Sequence, residues 1–131
     1  MSNPRKQLGS ALESRVVEKA ESRGLTSKKQ PLSGALKGYP NDVVIEDVLA
    51  ECKVRSHLLN TKGQRYIRLE LDWLAGVEEN AKKEGFDAGV LVVNAKHSPT
   101  PKVLVDLDFF LDLLRIRKET QNGTYDTTLS E

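Results

Sequence analysis

The stretch "DVVIEDVLAECKVR", Asp42 to Arg55, constrains most strongly what this chain can fold into. Val, Ile and Leu recur at a density that suits a pleated, packed strand better than a helix, where β-branched side chains lose rotamer freedom. Glu46-Asp47 interrupts the apolar run, so the stretch reads as two strands joined by a tight turn. Alternation along the second strand puts Glu51, Lys53 and Arg55 on one face and Ala50, Cys52 and Val54 on the other. One face packs and the other is charged. If the two strands pair about the turn, the carboxylate of Asp42 approaches that of Glu51.

The flanking segments supply the layers such a sheet needs. "SALESRVVEKAESRGL" reads as a helix starting at Ser10, with Leu12, Val16, Val17 and Ala20 on one face and Gly24 as its stop. Thr26 to Tyr39 reads as an extended basic loop or an irregular edge strand. Asn60 to Gly63 is a turn, and "RYIRLELDWLAGVEENAKKEG" repeats Leu69, Trp73, Val77 and Ala81 at helical spacing up to Gly85. "DAGVLVVNAK" and "KVLVDL" are strands, and "DFFLDLLRIRKE" is a last amphipathic helix capped by Asp106 or Asp108. The expected architecture is α/β, with a central mixed β-sheet flanked by helices. A chain of 131 residues supports one core. Residues 1–118 are taken as that single domain, and 119–131 as a polar, flexible C-terminal tail.

Composition narrows the chemistry. No apolar run reaches membrane-span length and the N-terminus lacks a signal-peptide core, so the expectation is a cytoplasmic protein without membrane contact. The single cysteine, Cys52, excludes an internal disulfide, and with His57 and His97 the only histidines there is no zinc cluster. Any metal must be held by oxygen. The net charge of +1 hides an asymmetry: residues 1–68 carry 13 Lys/Arg against 7 Asp/Glu, whereas 69–131 carry 7 against 12. A basic half of this kind suits a polyanion. Aromatic residues are few and not interleaved with basic ones, which disfavours base stacking and favours recognition of backbone and shape.

Two carboxylates, Asp42 and Glu51, with the backbone carbonyl of Cys52 make an oxygen donor set suited to a hard cation, Mg²⁺ first and Mn²⁺ second. Lys53, one pleat further, can orient a water or neutralise charge on a phosphoryl group. That is the chemistry of metal-assisted phosphodiester hydrolysis. Simpler roles stand beside it: a solvated strand face with a cross-strand ion pair for the charged trio, and a small core residue for Cys52. Glu13 can serve as the far end of a capping box with Ser10. Trp73 has the spacing of a core or interface residue. Lys28, Lys29, Lys37, Arg55, Lys62, Arg65 and Arg68, with His57 just beyond the charged strand, form either a phosphate track or ordinary solubilising charge.

Asn41-Asp42, an eight-residue gap and Glu51-Cys52-Lys53 resemble the PD-(D/E)XK nuclease signature. "GSALESRVVEKAESRG" resembles the first helix of archaeal-type Holliday-junction resolvases, with Glu13 at the position of a metal-site glutamate, and "SGA" resembles that family's serine loop, which matches Ser33. "DWLAGVEENAKKEGFDAGVLVVNAK" resembles its helix-then-strand element, so the likeness runs from about Gly9 to about Leu114. Asn41 and the short gap depart from the pattern, and "GYPND" resembles a virus-type repair nuclease module almost as well.

The resemblance implies a restriction-endonuclease-like fold in a homodimer of archaeal or phage type, cutting DNA at four-way junctions with Mg²⁺ or Mn²⁺. In a phage the location would be the host cytoplasm. It also implies a metal held by Glu13, Asp42, Glu51 and the Cys52 carbonyl, Lys53 on the attacking water, Ser33 near the scissile phosphate, and the helix of Trp73 close to the dimer seam. The alternatives are a nuclease of this fold acting on a flap, a mismatch or a specific duplex site, a non-catalytic DNA-binding protein of the same fold, and a protein-interaction domain.

Overall fold

The structure, a computed structural model of the chain, describes residues 4–30 and 42–130, with side chains over 9–30 and 42–122. Two strands form where the Val/Ile run requires them: β2 (Asp42–Ile45) and β3 (Val48–Arg55) pair antiparallel about the Glu46-Asp47 turn. β1 (Ser27–Lys29) adds an edge strand to β2. β6 (Ala88–Ala95) lies parallel to β3, and β7 (Lys102–Leu104) pairs antiparallel to β6. The result is a mixed five-stranded sheet in the order β1-β2-β3-β6-β7. A separate two-stranded hairpin, β4 (Leu58–Leu59) with β5 (Arg65–Tyr66), encloses the Asn60–Gly63 turn.

Each sheet face is covered by a helix. α1 (Pro4–Glu21) sets Leu12 and Val16 against Val43, Ala50, Cys52, Val90 and Val92. α2 (Leu71–Glu84) sets Val77 and Ala81 against Leu49 on the other face, with Val44, Leu74 and Phe86 around them. The return from β3 to the parallel β6 through α2 is what a parallel pair demands. α2 lies so close to β6 that a Cβ added at Gly89 would run into the Val77 carbonyl. Gly85, in the left-handed region at φ +82°, ends α2 through Schellman-type bonds to the Ala81 and Lys82 carbonyls.

Three boundaries differ from the sequence expectation. α1 starts at Pro4, six residues ahead of Ser10, because proline suits a first helical position and "RKQLG" continues the helix. α2 starts at Leu71, so Leu69 precedes it, and Glu70 stands extended as its N-cap residue. α3 (Leu107–Ser130) runs on through residues 119–130, where the polar sequence predicts a tail. Its N-terminus is capped by Asp106, whose carboxylate accepts the Phe109 N–H at 3.4 Å.

The turn between β2 and β3 contains a feature no local pattern announces. Glu46 sits at φ +51°, an unfavourable region for a residue with a Cβ. Two bonds to Thr26 hold it there: Glu46 N–H donates to the Thr26 carbonyl at 2.8 Å, and Thr26 N–H donates to Glu46 Oε2 at 2.9 Å. Hydrogen bonding from the Thr26 side chain first, and then from its backbone N–H, holds the Glu46 carboxyl below its ordinary pKa.

Candidate functional site

The hairpin register places Asp42 directly opposite Glu51. Cross-strand neighbours on one face stand roughly 5 Å apart at Cβ, so the two carboxylates share one patch. Both faces of β3 are covered, which makes the patch largely dry: Asp42 is 3% exposed. Glu51 is half-buried and its Oε1 pairs with Lys53 Nζ at 3.4 Å. Lys53 is the next residue on the same pleat face, which is why the pair can form within one strand.

Glu13 comes from the opposite side of the sheet. It lies on the buried stripe of α1, beside Leu12 and one turn before Val16, and is 5% exposed. Its capping role is excluded, because Ser10 is inside α1 and not at its start; the Ser10 carbonyl accepts the Ser14 hydroxyl at 3.1 Å. Glu13 Oε1 is buried without a hydrogen-bond partner. A buried carboxylate oxygen left in this state costs on the order of 1–3 kcal/mol unless something outside the chain satisfies it.

Electrostatics tie the acids together. Burial is the main reason that Asp42 is pushed up from 3.8 to about 7; the neighbouring carboxylates of Glu51 and Glu13 raise it further, and Lys53 opposes them. Glu13 is also raised by burial, with Lys29 acting in the other direction. The Cys52 thiol is pushed up to about 12, by burial first and then by Glu13, Asp42 and Glu51. Its strand position brings it within the field of all three acids, yet as a thiol it is inert. Cys52 is 2% exposed and belongs to the core cluster under α1. Among the described residues, no group of three or more His, Cys, Asp or Glu side chains is placed to hold a metal ion. The cluster is a set of acids whose burial outweighs the attraction of Lys53 at Asp42 and of Lys29 at Glu13.

The basic candidates fall into separate groups. Lys28 and Lys29 are exposed on β1, and Lys29 Nζ reaches α1, donating to Ser10 Oγ at 3.3 Å. Lys29 is therefore the counter-charge of Glu13 as well as a surface cation. Arg55 is half-buried at the end of β3, donating to the Val54 carbonyl at 2.8 Å. His57, Lys62, Arg65 and Arg68 are exposed on or beside the β4–β5 hairpin. Ser33 and Lys37 lie outside the described residues.

One participant was not assigned to the site by sequence reasoning. Trp73, early in α2, faces the charged side of β3: Lys53 Nζ lies 5.1 Å and Arg55 Cζ 4.4 Å from the indole ring centroid. Its spacing of one turn from the buried Val77 signalled a sheet-facing side chain. The charges on β3 turned that position into a cation–π contact.

No helix among the described residues is long and apolar enough to cross a membrane. In comparisons with protein-family models, curated proteins and solved structures, nothing matches this chain.

Proposed function

We propose that the chain is a metal-dependent, structure-selective DNA endonuclease of the restriction-endonuclease-like fold, a Holliday-junction resolvase cutting phosphodiesters at four-way junctions. The observation that carries this reading is the juxtaposition of buried Asp42 with half-buried Glu51 and Lys53 on one strand face, with buried Glu13 reaching the cluster from α1 on the other side of the sheet. The element order is also in favour: a helix, an antiparallel three-strand meander, then a helix returning to a parallel strand.

The acids fit a hard divalent cation. Glu13 Oε1 is buried without a partner, and Asp42 resists ionisation chiefly because it is buried and then because Glu51 and Glu13 stand near it. Asp42, Glu51 and the Cys52 carbonyl would hold Mg²⁺, or Mn²⁺ in its place, with Glu13 completing or supporting the set. When bound, such an ion would polarise a phosphoryl oxygen and acidify a water.

The chain's own residues do the rest. Lys53 carries positive charge beside Glu51, where it can orient the attacking water and offset charge developing on the phosphoryl group. Arg55, His57, Lys62, Arg65 and Arg68 extend positive charge from the end of β3 over the hairpin, and Lys28 and Lys29 supply it at the sheet edge. Ser33 keeps the role that the resemblance implies, and Lys37 its place in the phosphate track.

A homodimer is part of the proposal, because two aligned sites are needed to cut two strands of a junction. α3 supports it: Leu107, Phe110, Leu111, Leu113, Leu114 and Ile116 are all exposed on one helix, the least of them at 41%. Such a run of apolar side chains marks an interaction surface.

The test is cleavage in Mg²⁺ of labelled four-way, flap, mismatched and linear duplex DNA of shared sequence. Paired symmetric cuts confined to the four-way junction support the resolvase. Preferential cutting of another substrate moves the assignment to a different nuclease of this fold, and junction binding without cutting to a non-catalytic DNA-binding protein.

A further inference from the structure

Trp73 is the chain's only tryptophan. It does not close the core: it is half-buried over the charged half of β3, within 5.1 Å of Lys53 Nζ and 4.4 Å of Arg55 Cζ. Lys53 and Arg55 are two residues apart on one pleat face, so their like charges are held side by side by the strand itself. An electron-rich indole face attracts both and offsets their repulsion, and the interaction strengthens as water is excluded.

Each cation has a further hydrogen-bonded or ion-pair tie. Lys53 pairs with Glu51 Oε1 at 3.4 Å, and Arg55 donates to the Val54 carbonyl at 2.8 Å. The Lys53 tie is the vulnerable one, since Glu51 is also the carboxylate proposed as a metal donor. The ring, together with the attraction of Asp42, then keeps Lys53 over the strand face when that carboxylate is engaged elsewhere.

We infer that Trp73 is a positioning residue, holding Lys53 and Arg55 as a paired cationic platform for the backbone phosphates of one DNA strand beside the acid cluster. The substrate rests on the nuclease reading; the geometry does not. A purely structural Trp73 would matter to stability alone. A positioning Trp73 makes the state of the two cations visible in its own emission and in the rate of the chemical step.

The experiment has two arms that fail separately. In the first, emission from Trp73 is followed in metal-free protein while a short DNA duplex is titrated in. Emission changes in the parent and stays unmoved in the Lys53→Met/Arg55→Met double variant, with binding scored independently by anisotropy of labelled DNA. In the second, single-turnover cleavage of a four-way junction in Mg²⁺ is compared for the parent, Trp73→Phe and Trp73→Leu. Loss of the aromatic face slows the cleavage step about tenfold in Trp73→Leu. The half-saturating protein concentration and thermal midpoint change little, and Trp73→Phe recovers most of the rate.

Parent emission that ignores bound DNA overturns the inference, as does Trp73→Leu cutting at the parent rate. So does Trp73→Phe that is as slow as Trp73→Leu with an equally lowered midpoint. A parent that shows the emission change but never cuts sinks the nuclease reading and leaves the phosphate platform standing.

Discussion

Replacing Asp42 with asparagine should stabilise the metal-free protein at alkaline pH and do almost nothing at acid pH. Asp42 is 3% exposed, and burial together with Glu51 and Glu13 raises it from 3.8 to about 7. Below about pH 4 the carboxyl is protonated in folded and unfolded chains alike, and it contributes no pH dependence. Between about 4 and 7 the folded state keeps a proton that the unfolded state releases, so stability falls as pH rises. Above about 7 the whole penalty is present. At about 1.4 kcal/mol per pH unit, the displacement from 3.8 to about 7 corresponds to about 4 kcal/mol at most. Relaxation and water entry make about 2 kcal/mol a realistic gain for Asp42→Asn at pH 8. Glu13 is raised in both proteins, so the difference between parent and variant reports Asp42 together with its coupling to Glu13 and Glu51. Urea unfolding in EDTA at pH 4.5, 6 and 8 gives the curve. Added Mg²⁺ at pH 8 should then stabilise the parent by mass action and leave the variant nearly unchanged. A variant less stable than the parent at pH 8, or a difference that does not vary with pH, would refute the reasoning.

Three further outcomes follow from the packing. Cys52, its thiol pushed up to about 12 and buried in the core, should resist iodoacetamide at pH 8 until the protein is unfolded; rapid labelling of native protein, read by mass, would show the site to be open. Gly89→Ala forces a methyl group onto the Val77 backbone and should cost about 3 kcal/mol by separating α2 from β6, measured by denaturant unfolding; a loss below about 1 kcal/mol would contradict that close approach. Leu111→Glu with Leu114→Glu places charge on the exposed apolar side of α3 and should convert the proposed dimer to monomer in sedimentation while leaving the thermal midpoint within a few degrees; an unchanged sedimentation coefficient would remove α3 from the interface.

The central hairpin was legible because its signals are local. Alternation fixed which β3 residues share a face, the Glu46-Asp47 break fixed the turn, and the two together fixed the Asp42–Glu51 register. The α1 start was missed because "PRKQLG" carries no apolar stripe, although Pro4 was a usable marker. Glu46 could not be read as a left-handed residue, since what holds it there is Thr26, twenty residues away in the chain. The site divides in the same way. Asp42, Glu51 and Lys53 lie within one hairpin and could be placed by counting. Glu13 was ambiguous between a cap and the acid cluster until the helix start was known. Trp73 was visible as a core or interface residue, but its contact with Lys53 and Arg55 depends on how α2 crosses β3, which no spacing within either element encodes. Lys29 as the neighbour of Glu13 required the position of β1 relative to α1 in the same way.

The most direct test of the acid cluster as a hydrolytic centre is single-turnover cleavage of a labelled four-way junction in Mg²⁺ by the parent, Glu51→Ala and Lys53→Ala, with junction affinity measured on the same preparations. The account predicts cutting by the parent, loss of at least a hundredfold in each variant, and affinities within a few-fold of one another. Cutting by Glu51→Ala at the parent rate would contradict it.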